Sequence, residues 1–121
     1  MKPKKTDARS LHPRFRIICG SDIAIGPGKA ELLEKVGEAG SIAEAAKQMG
    51  MSYMRAWTLL RTMQRCFKQP LIKVVRGGSQ GGGAELTDTG RKVLELYHLL
   101  QAQSLEATQA TWEQFRELLR G

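Results

Sequence analysis

Residues 41–67 read SIAEAAKQMGMSYMRAWTLLRTMQRCF. The punctuation of this stretch predicts two helices joined by a tight turn. Ser41, with Glu44 three residues on, makes a capping box at the start of the first helix. Ile42, Ala45, Ala46 and Met49 recur at helical spacing, and the two alanines let another helix approach closely. Gly50 breaks that helix. Ser52 caps the next, which runs to about Phe67 before Pro70 ends it. Ala56, Leu60, Met63 and Phe67 line one side of this second helix; Arg55, Thr58, Arg61, Thr62 and Arg65 fall mostly on the other.

Working back towards the N-terminus, Gly40 is a C-terminal stop for a helix over Lys29–Ala39, where Leu32, Leu33 and Val36 share a face. Pro27 suits the first helical position. Arg14–Cys19 (RFRIIC) and Ile23–Ile25 flank Gly20-Ser21-Asp22, which reads as a small hairpin. Residues 1–13 lack periodicity and are expected to be a flexible basic tail. Forward from Pro70, Leu71–Arg76 (LIKVVR) reads as a strand and Gly77–Gly83 (GGSQGGG) as a glycine-dense turn. Ala84–Leu86 is a short return strand, and Thr87 or Asp88 caps a final helix reaching about Leu119. The expected order is β-β-α-α-α-β-β-α. This is a mainly α fold with small β: a winged helix-turn-helix over 14–86, followed by a linker and dimerisation helix over 87–121.

Charge is unevenly spread along the 121 residues. The formal net charge is +7. Residues 51–80 carry six basic groups (Arg55, Arg61, Arg65, Lys68, Lys73, Arg76) and no acid. Concentrated positive charge favours polyanions through phosphate contacts and counterion release. No apolar run approaches the roughly 18 residues of a membrane helix, and no signal-peptide block is present, so the expected location is the bacterial cytoplasm. His12 and His98 are isolated. Cys19 and Cys66 fit no metal-ligand spacing and read as reduced core thiols. No catalytic constellation can be assembled, so no enzyme, metal or cofactor is expected. An RNA-binding role lacks the aromatic platform that stacks single strands.

A basic second helix after a tight turn describes a helix-turn-helix, whose reading helix enters the major groove of duplex DNA. Arg55, near the end that reaches base edges, is the candidate base reader, with Ser52, Tyr53, Met54 and Thr58 beside it. Arg61 and Arg65 lie where the helix diverges towards the backbone. Tyr53 is open between packing and a phosphate hydrogen bond; Trp57 reads as core or core edge. In the wing, Lys73 and Arg76 are candidate phosphate contacts. Gly77, Gly78, Ser79, Gln80 and Gly81 let the backbone approach phosphate closely. The GxxxxGK[ST] pattern of a nucleotide-binding loop is absent. The competing reading is a dimerising interaction module that modulates another regulator without touching DNA.

Three motifs in order carry a family resemblance: Gly40-Ser41-Ile42 with Ala45-Ala46, then Ser52-Tyr53 with Ala56-Trp57, then Gly77-Gly78, Gly81–Ala84, Leu86-Thr87 and Gly90. Together they resemble the N-terminal domain of ModE-type regulators, the molybdenum-dependent transcription factors related to the LysR type. The resemblance runs from about Arg14 onwards. It implies a DNA-binding and dimerising domain, whether as a stand-alone family member or as a fragment of a longer protein. Full-length relatives place their molybdate-binding domains after this region, whereas this sequence ends at Gly121, so molybdate is not expected to bind.

The final helix, about 32 residues or ~48 Å at 1.5 Å per residue, is too long for the domain to cover. Tyr97, Leu100, Ser104, Thr108, Trp112, Phe115 and Leu119 make a stripe along it. That stripe is expected to pack against a second copy, giving a homodimer on a palindromic duplex site.

Overall fold

Ile17–Cys19 (β1) and Asp22–Ile25 (β2) pair antiparallel around Gly20, whose φ of 63° is reached at little cost only without a Cβ. The computed structural model describes residues 7–75 and 83–121. Next come α1 (Pro27–Ala39), α2 (Ile42–Gln48) and α3 (Tyr53–Arg65), then β3 (Ile72–Val75), β4 (Gly83–Leu86), α4 (Asp88–Ala107) and α5 (Gln109–Leu118). The expected hairpin, three helices and wing strands are all present. The caps are also as read: the Ser41 hydroxyl accepts from the Glu44 amide at 3.1 Å, Ser52 from Arg55 at 3.1 Å and Thr87 from Gly90 at 3.0 Å.

One apolar core joins these elements. Leu32, Leu33 and Val36 of α1, Ala45 and Ala46 of α2, and Ala56, Leu60 and Met63 of α3 are buried together with Ile25, Leu71 and Ala84. The small residues of α2 allow the close approach that the alanine spacing anticipated. The wing is tied to this core at its base. The Gln64 side-chain carbonyl accepts from the amides of Leu71 and Ile72, at 2.8 and 3.1 Å. The Ala84 amide donates to the Gly40 carbonyl at 3.0 Å. The wing's root is therefore fixed relative to α3.

Among the described glycines, Gly90 has the least room for a side chain. A Cβ there would lie 2.1 Å from the Leu71 carbonyl oxygen, and backbone cannot swing aside as a side chain can. Gly90→Ala is expected to cost at least about 1–3 kcal/mol, the range for overpacking a tight site, in urea denaturation. A loss under about 0.5 kcal/mol, the scatter of surface substitutions, would show that α4 slides freely.

Four expectations change. The final helix is two helices that meet at Thr108, whose φ of −102° and ψ of 5° depart from the helical path; its hydroxyl donates to the Ser104 carbonyl at 2.6 Å. Tyr97, expected at a dimer interface, is buried in its own domain and donates its hydroxyl to the Phe15 carbonyl at 2.8 Å. Desolvation raises its pKa. Cys19 is exposed rather than a core thiol, and Cys66 is half-buried, its pKa raised by burial and then by the neighbouring Cys19 thiol.

The fourth change concerns residues 7–13, which are not loose. Arg9 donates to the Arg116 carbonyl at 2.9 Å, and the Gln101 side-chain amide reaches the Pro13 carbonyl at 3.4 Å. Hydrogen bonds from Arg9 hold the Asp7 carboxyl down at about 2. The segment is anchored because two guanidinium groups, Arg9 and Arg116, meet Asp7, at 2.9 and 3.6 Å.

Candidate nucleic-acid interface

The helical period decides which side chains of α3 face away from the core. Taking Ala56, Leu60 and Met63 as inward, Met54, Thr58, Arg61 and Arg65 lie within about 50° of the outward direction, at 100° per residue. All four are exposed. Met54 and Tyr53, at the N-terminal end of the helix, are 69% and 49% exposed. Ser52 is exposed but its hydroxyl is occupied as the cap. The Thr58 hydroxyl donates to the Met54 carbonyl at 2.9 Å and so faces outward as an acceptor.

Among the described residues, neither Arg55, Arg61 nor Arg65 has a carboxylate within 4.0 Å. Lys73 differs: its ammonium lies 3.0 Å from Glu85 across the β3–β4 ladder, in the register Lys73↔Glu85. Its charge is shared within the wing, a pairing that the acid-free run of residues 51–80 could not reveal. Arg76, Gly77, Gly78, Ser79, Gln80 and Gly81, the wing-tip candidates, lie outside the described residues.

Two flanks border the outward face. On one, Tyr53 and Trp57 meet edge to face with centroids 6.3 Å apart. They line a cleft of about 260 Å³ with Ser41, Val74, Gly83 and Ala84, between α3 and the wing. Trp57 packs against the core edge, as read from the sequence, while Tyr53 stays half in solvent. On the other flank lies Arg55, about 70° from outward on the same 100°-per-residue count. It lines a cleft with Arg14, Arg16 and Lys29. Sequence reasoning gave these last three no role. The i, i+2 spacing of Arg14 and Arg16, which sets two side chains on one face of an extended segment, was the available signal.

Among the described residues, no group of three or more His, Cys, Asp or Glu is placed to hold a metal ion. No described helix is long and apolar enough to cross a membrane.

A capped three-helix core with a polar, cationic third helix and a β-wing rooted beside it defines a winged helix-turn-helix of the DNA-binding class. More particularly, the chain belongs to the bacterial regulatory helix-turn-helix proteins of the lysR family, which it matches over residues 28–91. This is a family of transcription regulators, not of enzymes. The chain is 37% identical over 98 residues to the molybdenum transport protein ModE of Azotobacter vinelandii, covering 81% of this chain and 36% of that protein. It is 39% identical over 77 residues to the transcriptional regulator ModE of Haemophilus influenzae, covering 64% of this chain and 30% of that one. It is 38% identical over 74 residues to the DNA-binding transcriptional dual regulator ModE of Escherichia coli, covering 61% and 28%. The chain thus spans about a third of the length of these relatives.

Proposed function

We propose that this chain binds specific duplex DNA as a transcriptional regulator, and does so as a homodimer on a palindromic site. The outward face of α3 carries the reading: exposed Met54, Thr58, Arg61 and Arg65, with no acid paired to either arginine among the described residues. The major groove, about 12 Å wide, accepts one helix in this orientation. Ser52 and Tyr53 stand where the helix enters the groove. In the wing, Lys73 and the sequence candidates Arg76, Gly77, Gly78, Ser79, Gln80 and Gly81, the last six outside the described residues, are the proposed backbone contacts. The likeness to a transcriptional regulator and to a DNA-binding transcriptional dual regulator supports the same reading. Molybdate is not part of the proposal.

Because Arg55 lies about 70° off the outward direction and Arg61 within about 50° of it, Arg61 replaces Arg55 as the candidate base reader in this proposal. Once bound fragments have been selected from genomic DNA, Arg61→Ala is expected to cost about 1–3 kcal/mol on the selected site and to relax preference at one base pair. An intact preference would move the reader elsewhere on α3. If the wild-type chain enriches no fragment even at low salt, the DNA-binding proposal fails and the interaction-module reading takes its place.

A further inference from the structure

The flank of α3 away from the wing opens on a cleft of about 420 Å³ between the β1–β2 hairpin, the start of α1 and the start of α3. Arg14, Arg16, Lys29 and Arg55 line it over a floor that includes Met51 and Leu59, and no Asp or Glu belongs to its described lining. The four cations come from separate parts of the chain that only the fold brings together. Arg16 lies across the start of α1, its Cγ 3.3 Å from where a Gly26 Cβ would be. No acid sits in the first turn of α1 and no side chain caps it, so the positive end of that helix adds to the same field. Gathering like charges in one concavity is unfavourable unless an anion fills it.

We propose that this cleft grips a backbone phosphate of the duplex whose major groove α3 enters. The inference rests on the DNA-binding reading above and adds a contact surface to it. Arg55 is on the N-terminal turn of α3, the end that enters the groove, and the cleft adjoins it on the side away from the wing. Arg14, Arg16 and Arg55 are exposed, an arrangement open to a long polyanion rather than closed around a small one. Wing and hairpin then hold the two sides of the groove, with α3 between them. Arg55 becomes a backbone contact rather than a base reader.

The test uses the full chain and three probes: the selected duplex, a scrambled duplex of equal length, and inorganic phosphate. For Arg14→Gln/Arg16→Gln, binding to both duplexes is expected to weaken by the same factor. The slope of log affinity against log salt should become shallower by about 2, the loss of one phosphate contact in each copy of the dimer. Arg55→Gln should do the same and leave base preference intact. Arg14→Lys/Arg16→Lys should recover most of the slope, and thermal unfolding should report an unchanged fold for all of these exposed substitutions. The clamp is overturned, with DNA binding left standing, if the wild type binds and the double glutamine variant keeps its full slope. It is also overturned if Arg55→Gln relaxes preference at a base pair, or if inorganic phosphate alone binds stoichiometrically at micromolar concentration, which would make the cleft a free-anion site. A wild-type chain that binds neither duplex overturns both readings together.

Discussion

Affinity for the selected duplex is expected to fall by about 10³–10⁵ between 50 and 200 mM salt, if a dimer makes roughly 6–10 phosphate contacts. The structure supplies candidates for that number. Arg65 points outward from α3, and Arg14, Arg16, Lys29 and Arg55 share the cleft beside it. Two copies double the set. Each cation that meets a phosphate releases a condensed counterion, which is why the effect is steep rather than gradual. Lys73 should contribute less than the arginines, because Glu85 already neutralises it at 3.0 Å. Fluorescence anisotropy across a salt series measures the slope directly. A flat response would mean that these cations face solvent and not DNA.

Phe115→Glu/Leu118→Glu is expected to turn a dimer into a monomer and to weaken binding to a two-half-site operator by about 10²–10⁴, the scale of lost avidity. α4 and α5 leave several large apolar side chains uncovered. Leu94 and Tyr97 are buried in the domain, but Leu96, Leu99 and Leu100 of α4 stay exposed. Further along, Phe115, Leu118 and Leu119 are 60%, 84% and 46% exposed. Large apolar side chains grouped at helical spacing mark an interface. A second copy placed there would hold two α3 helices about 34 Å apart, one turn of DNA. Because Phe115 and Leu118 lie outside the described core, the double variant should stay folded and lose only the concentration-dependent part of its melting temperature. Truncation after Leu100 gives the same result by another route. A variant that still sediments as a dimer and binds with full affinity would place the interface elsewhere.

The order of elements could be read from the chain because its signals are local. Ser41, Ser52 and Thr87 each cap through the amide three residues on. The apolar stripe of α3 follows from the helical period alone. Gly90 was singled out only as part of a motif; its purpose, room for the Leu71 carbonyl, involves residues 19 positions apart and needed the fold. The C-terminal region misled for the same reason. Periodicity placed Tyr97 on the dimer stripe, yet its hydroxyl reaches Phe15, 82 residues away in sequence.

By itself, the sequence determined the capped helix-turn-helix, the wing strands and the cationic face of α3, since caps, turns and periods act over a few residues. Tertiary structure alone decided which cations share a surface. Arg14, Arg16 and Lys29 join Arg55 in one cleft, whereas Lys73 is drawn to Glu85 across the wing. It likewise decided that the first half of the last helical region packs on its own domain and the rest stays exposed. The physical reason is that burial and Coulomb interaction depend on distance in space, and that distance is set only when the core closes.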